Sequence, residues 1–400
     1  MKKLLAAVAA LALSGCALFD KTEPNDSAAT AISPDGKNEI RLWANPLAYE
    51  VRRNGQVVVA KSEIGMKVNG QCLKPNATWN GGGWWSGSGA KSGTVETPIY
   101  KKSRIDLAGT EVSVVFGDWR VRLSARNDGV AYRFETEMKG RIKVSGEKVT
   151  VNIPDASARS CTYRTDAFGC EEAVPTVGPI GNITTKGKEM VYLPLTYSLA
   201  DDTTVAITDV DVYDYPVLYL KRNETAQGVR LESVFAGWPK KTHRAGGWDS
   251  SKVITSGGRW VVVDEHADYL VETEGTRTFP WRAFILCDEP AKLCEADLVQ
   301  ALSRPRVNLD FSWVKPGKVA WDWWNCFDNQ GEDGCNTKTY ERFIDFAAKT
   351  GVEYVIFDEG WSETLNSWKF HKDVDVPHLI EYANKKGVGI ILWMAWAQIV

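Results

Sequence analysis

Two different periodicities divide the chain. From residue 33 to about 287, apolar and polar positions alternate in short runs: 39–43, 47–52, 56–60, 111–116, 120–125, 130–135, 148–153, 203–208, 217–220, 228–233 and 260–263. A repeat of two, rich in β-branched and aromatic residues, is the mark of a half-buried strand. Turn residues punctuate the runs at Asn54-Gly55, Asn69-Gly70, Asn127-Asp128-Gly129 and Gly257-Gly258. Asn-Gly between two alternating runs is a strong hairpin signal, because both residues tolerate the positive φ of a type I′ turn. No long amphipathic helix interrupts the series. The region predicts a large antiparallel β-sandwich.

The pattern then changes. Residues 291–302 predict a short helix, followed by a linker holding Pro305 and Pro316. Apolar strands are expected at 318–323, 354–357 and 388–393. Between them lie two helical stretches. The first, 337–350, places Tyr340, Phe343, Ile344 and Ala347 on one face and ends at Gly351. The second, 376–386, ends at Gly387. Near-continuous apolar strands alternating with helices predict a parallel sheet. The expected fold class is multidomain, β then α/β.

The first residues carry an address. Met1-Lys2-Lys3 is positive, residues 4–13 are apolar, and Leu13-Ser14-Gly15-Cys16 follows. The apolar part is too short to span a bilayer and fits a secretory signal. The small residues before Cys16 resemble a bacterial lipobox, in which the cysteine is lipidated. Attachment to the membrane would be by lipid only, in the bacterial periplasm or at the outer membrane. The expected organisation is signal peptide 1–16, tether 17–30, β-sandwich 31–300, linker 301–317 and α/β domain 318–400.

Composition narrows the function. With 44% hydrophobic and 25% charged residues, the chain is globular rather than disordered. A net charge of −3 without a Lys/Arg stripe excludes the usual nucleic-acid binder. The outlier is tryptophan, 17 against 4 histidines. Indole faces stack on sugar rings, and large sandwich cores also bury them; both readings fit. Apart from Cys16, seven cysteines remain. Three local pairs offer themselves, Cys161 with Cys170, Cys287 with Cys294 and Cys326 with Cys335, as structural disulfides or buried thiols.

Chemistry in parallel α/β folds gathers at the carboxyl ends of the strands. Those ends read Trp321-Asp322-Trp323-Trp324-Asn325, Asp358-Glu359-Gly360-Trp361 and Trp393-Met394-Ala395-Trp396. Carboxylates accept paired sugar hydroxyls and tryptophans pack on the ring. Asp322, Trp323, Asp358, Glu359, Trp361, Trp393 and Trp396 are therefore the candidate substrate-binding residues. The competing reading has the tryptophans filling a core and Asp322 capping a loop.

The blocks 319–325, 353–361 and 388–393, together with Ser33-Pro34-Asp35-Gly36 and Gly275-Thr276-Arg277-Thr278-Phe279-Pro280-Trp281-Arg282, closely resemble glycoside hydrolase family 97 from residue 33 onward. The resemblance implies an N-terminal β-super-sandwich followed by a (β/α)8 TIM barrel, of which residues 318–400 would form the first three β/α units. It implies calcium-dependent, exo-acting α-glycosidases. Glu171, in Phe168-Gly169-Cys170-Glu171-Glu172, is the candidate calcium ligand, with Glu172 its rival. Inverting members carry a base Glu at the end of the third strand, where Ala395 stands here. Retaining members use an Asp at the end of the fourth strand.

The expected activity is therefore that of a retaining α-galactosidase acting on oligosaccharides. A full barrel takes about 250 residues, so the 400-residue chain is expected to lack nucleophile and acid/base and to be inactive alone. Two alternatives stay open: an inverting α-glucosidase of the same family, and a non-catalytic, glycan-binding surface lipoprotein.

Overall fold

The computed structural model describes residues 28–75, 85–97, 100–166, 174–187, 189–245, 260–305, 307, 309–321, 323, 334–363 and 366–395. The chain forms two compact units. One comprises Met1–Trp238 and Ala267–Arg306; the other comprises Pro239–His266 and Val307–Val400.

The first unit is almost entirely antiparallel sheet, with seventeen strands linked into one hydrogen-bonded system. The Asn-Gly turns act as the sequence requires. Arg53 pairs with Gln56 across Asn54 (φ 49°) and Gly55 (φ 79°), and Val68 pairs with Gln71 across Asn69 (φ 50°) and Gly70 (φ 79°). The runs at 130–135 and 148–153 are not separate strands. They are the ends of one 25-residue strand, Gly129–Ile153. Gly140 lies in the stretch between the two runs, but the chain does not turn back there. Instead, the ladder to Val271–Thr278 shifts register between Glu137 and Arg141 and then continues. Gly275 permits the bend, since a Cβ there would lie 2.3 Å from the Met138 carbonyl oxygen.

This long strand pairs with five others: Gln56–Val68, Trp119–Arg126, Val229–Val234, Val271–Thr278 and Trp281–Cys287. Its inward residues Val130, Tyr132, Phe134, Ile142, Val144, Val149 and Val151 form the spine of the sandwich core. Burial of those side chains supplies the main stabilisation, about 1.5–3 kcal/mol for each large one.

One charged cluster sits inside. Arg282 is 1% exposed. Its Nε and Nη2 donate to the two carboxylate oxygens of Glu147 at 2.9 and 2.7 Å, and its Nη1 donates to Asp209 at 2.7 Å. The guanidinium also faces the Phe235 ring, 5.2 Å from its centroid.

After the sandwich, the expected helix at 291–302 is broken. A 3-10 turn, Pro290–Glu295, precedes a five-residue helix, Leu298–Leu302. Leu298 and Leu302 pack on Trp281, Ala283 and Val210 as a small satellite core. Cys287 and Cys294 are separate thiols, so that local pair is not a disulfide. Cys287 lies inside at the end of its strand, whereas Cys294 is exposed on the 3-10 turn. Cys170 and Cys326, needed for the other two pairs, lie outside the described residues.

In the second unit, strands Val319–Trp321, Tyr354–Phe357 and Gly389–Leu392 pair in parallel with Tyr354–Phe357 central. Helices Thr337–Thr350 and Val376–Lys386 end at Gly351 (φ 73°) and Gly387 (φ 71°). Asn336 and Asp375 cap their starts by accepting from Thr339 N and His378 N. The helices cover Val355 and Phe357 with Tyr340, Ile344, Ala347, Leu379 and Ala383. The same unit holds an antiparallel hairpin, Pro239–Ala245 with Trp260–His266. No helix among the described residues is long and apolar enough to cross a membrane.

Removing the buried guanidinium leaves two carboxylates without their partner. Arg282→Ala is expected to cost about 3–5 kcal/mol in urea unfolding, while Arg141→Ala, at an exposed pair with Glu274, costs under about 1 kcal/mol. Burial pushes the Cys287 thiol up to about 11, so roughly one molecule in a thousand carries the thiolate at pH 8. Alkylation at that pH is expected to label exposed Cys72 and Cys294 in the native protein and Cys287 only after unfolding; native labelling of all three at equal rates would contradict this placement.

Candidate functional site

The carboxyl ends of the three parallel strands define the candidate site. The central strand ends at Phe357 and turns through Asp358-Glu359-Gly360-Trp361. Asp358 is 8% exposed. One of its oxygens accepts the Trp321 indole N–H at 2.7 Å, and the other accepts the Glu359 backbone N–H at 2.6 Å. The first bond ties the central strand's end to that of its neighbour. A carboxylate held on both oxygens has one orientation and keeps a second lone pair on each oxygen for an incoming hydroxyl.

Gly360 makes the turn possible. Its φ is +116°, and a Cβ there would sit 2.7 Å from the Cys335 sulfur. Cys335 in turn donates its S–H to the Glu359 carbonyl at 3.2 Å. The third strand is joined the same way as the first: Trp361 Nε1 donates to the Trp393 carbonyl at 2.7 Å, and Trp393 N donates to the Phe357 carbonyl at 2.9 Å. Indole hydrogen bonds thus fix all three strand ends relative to one another.

The candidate residues divide by position. Asp358, Glu359, Trp361 and Trp393 come together on this rim, and Trp323 is 45% exposed just past the first strand. Trp361 is 3% exposed and packs in the α/β core, 6.2 Å from the Phe370 ring. Its ring serves packing there. Asp322, Trp396, Glu171, its rival Glu172 and Cys16 lie outside the described residues. Ala395, at the end of the third strand, is buried. Among the described residues no three His, Cys, Asp or Glu side chains converge as a metal site requires.

The residue pattern missed one feature. A small hairpin, Ser362–Glu363 with Asn366–Phe370, follows the central strand's turn. It presents Trp368 at 93% exposure. The available signal was a tryptophan flanked by Ser367 and Lys369, polar neighbours that do not belong to a core.

Residues 32–305 match the family model Glycosyl-hydrolase 97 N-terminal, and residues 320–399 match the model Glycoside hydrolase 97. The chain belongs to glycoside hydrolase family 97. It is 33% identical over 385 residues to a retaining alpha-galactosidase of Bacteroides thetaiotaomicron, covering 92% of this chain and 55% of the relative. It is 26% identical over 407 residues to a probable retaining alpha-galactosidase of Streptomyces bingchenggensis, covering 98% and 56%. The chain thus spans about half the length of the curated relatives it matches. A family 97 enzyme from Pseudoalteromonas sp. strain K8, solved with acarbose, shares the fold with a TM-score of 0.70 at 19% identity, over 90% of this chain and 53% of that one. Homologues in family 97 are glycosidases.

The Asp358 turn yields a direct test. Gly360→Ala is expected to destabilise the protein by about 1–3 kcal/mol through its positive φ and to lose further stability through the clash with Cys335. Pairing it with Cys335→Ala should recover only the clash. Equal stability of Gly360→Ala and wild type in urea unfolding would mean the turn adopts another conformation.

Proposed function

We propose that this protein is a calcium-dependent, exo-acting retaining α-galactosidase that hydrolyses terminal α-galactosidic bonds of oligosaccharides. The observation that carries the reading is its 33% identity to a retaining alpha-galactosidase across 92% of the chain. Ala395 supports it, standing where inverting family members place a base glutamate. Residues 318–395 read as the opening of a (β/α)8 barrel whose strand ends bind the sugar.

In this reading Asp358 is a fixed acceptor for a sugar hydroxyl, and Asp322 and Glu359 are its companions. Trp323 and Trp393 offer apolar surface to the ring. Retaining hydrolysis needs two further carboxyl groups about 5–5.5 Å apart. One attacks the anomeric carbon while the other protonates the departing oxygen. The second group then deprotonates a water that releases the sugar from the first. The additional length of the curated relatives is where this reading places those two groups. Glu171 is the proposed calcium ligand, and Cys16 the proposed lipid attachment that holds the protein in the periplasm or at the outer membrane.

Protein purified from its host is expected to release galactose from an aryl α-galactoside, with the α-anomer appearing first by NMR. First appearance of the β-anomer would mean inversion, and no release would end the galactosidase reading. Chelation with EGTA should abolish the activity and calcium should restore it. Asp322→Ala should lower kcat/KM roughly 10- to 100-fold, the worth of a hydrogen bond to a charged group, with unfolding unchanged. Cys16→Ala should move the protein from the membrane to the soluble fraction.

A further inference from the structure

A cavity of about 390 Å³ opens in the first unit, lined entirely by that unit's residues. It lies where the Asn127-Asp128 turn, the end of strand Trp281–Cys287 and the Pro290–Leu302 segment meet. Its volume is within the range of small-molecule sites, about 300–1,000 Å³. Arg126 is one wall. It is 5% exposed, yet no carboxylate among the described residues pairs with it. Its Nη1 donates only to the backbone carbonyls of Leu107 and Ala108, and its enclosed Nε has no hydrogen-bond partner. The chain makes room for this side chain: a Cβ at Gly109 would lie 2.9 Å from Arg126 Cγ. Glu111, Asp128 and Asp106 act on it only from beyond ion-pair distance, and desolvation outweighs them; a buried guanidinium so placed is costly unless something else meets it.

Acceptors stand nearby with capacity to spare. Asp106 gives one oxygen to Ala108 N at 2.9 Å, and Asp128 gives one to Asp297 N at 2.7 Å. The other oxygen of each has no protein donor among the described residues. Asn127 uses its side-chain oxygen on Asp35 N at 3.1 Å, which leaves its amide N–H groups for another acceptor. The remaining charges on the wall are already matched, Asp288 by Arg53 at 2.8 Å and Asp297 by Lys102.

The charge pattern selects the ligand. Four cations and five carboxylates line the cavity. An anion would meet the unmatched Asp106 and Asp128, and a cation would meet Arg126. A neutral polyol meets neither objection, because each hydroxyl both donates and accepts. We propose that this cavity binds a single neutral sugar unit, with Arg126 and Asn127 donating to its hydroxyls and Asp106 and Asp128 accepting from them. The proposal concerns binding by the sandwich and does not rest on the hydrolase reading.

Lys292, on the wall and half-exposed, reports on occupancy. The whole protein is acetylated at low reagent excess with and without methyl β-galactoside or methyl β-glucoside, neither of which an α-glycosidase cleaves, and labelling is read by mass spectrometry. The expected result is saturable slowing at Lys292 of threefold or more, with exposed Lys385 on the Val376–Lys386 helix unchanged. Arg126→Gln and Asp128→Asn should each remove the protection. If Arg126→Gln does not fold, Asp106→Asn, at an exposed position, serves in its place. No protection by either glycoside, or full protection in the folded variants, would overturn the proposal. The labelling is read whether or not the protein hydrolyses a galactoside, so failure of one reading leaves the other standing.

Discussion

The sandwich depends on one arginine satisfying two acids out of reach of water. Arg282 sits near the start of strand Trp281–Cys287, Glu147 far along the 25-residue strand, and Asp209 on strand Thr204–Val210. Three strands distant in sequence must arrive in one register for the guanidinium to reach both carboxylates. Side chains alternate faces along a strand, so a slip of one residue would carry a charge into apolar packing or leave two carboxylates unpaired. Hydrophobic burial already opposes a one-residue slip, and the desolvated ion cluster opposes a two-residue slip as well, since the right face would then carry the wrong partner. The cluster contributes less to net stability than apolar residues of equal size would, but it penalises every neighbouring arrangement. Such a cluster favours a single pairing in a sheet system with five strands on one partner.

The α/β unit solves its alignment problem with neutral donors instead. Parallel strands are not joined by tight turns, so nothing local fixes how far one strand end projects past the next. Here the Trp321 and Trp361 indoles each reach across to the neighbouring strand end, one to the Asp358 carboxylate and one to the Trp393 carbonyl. The tryptophans thus have two different uses. Trp321 and Trp361 set geometry from within the packing, while Trp323 and Trp368 present apolar surface to solvent. Preorganisation of a sugar site needs the first kind before the second can act, because a stacking platform discriminates only if the acceptors beside it are fixed.

What could be read from the chain follows from the range of the interactions involved. The Asn54-Gly55 and Asn69-Gly70 turns and the two helices ending at Gly351 and Gly387 were legible because a few adjacent residues determine them. The continuity of Gly129–Ile153 was not, since the alternating runs 130–135 and 148–153 stand apart with Gly140 between them, and only the partner strand, with Gly275 opposite, keeps the ladder going. The position of Asp358 and Glu359 at the central strand's end was legible, because alternating elements announce where the carboxyl ends fall; Asp322, the third carboxylate of that set, lies outside the described residues. Which tryptophans face inward was not: Trp361 and Trp368 are seven residues apart with opposite environments, and burial is decided by what packs on them. The Cys287–Cys294 pair failed for the same reason, as spacing says nothing of which way two side chains point.

Two arginines of the same unit make the last comparison. Arg282 and Arg126 are both nearly inaccessible, yet the first meets two carboxylates and the second only carbonyl oxygens. Desolvation costs each of them several kcal/mol, and only Arg282 recovers the cost within the fold. If Arg126 were there for stability alone, an apolar residue would fill the space beside Gly109 at lower cost. The fold instead keeps a glycine where a Cβ would meet both Arg126 Cγ and the Ala125 carbonyl, and leaves carboxylate oxygens lining the same cavity without protein donors among the described residues. A buried charge that nearby carboxylates offset only from beyond ion-pair distance, in a cavity whose acceptors keep lone pairs to spare, is the arrangement expected where further partners arrive with a ligand.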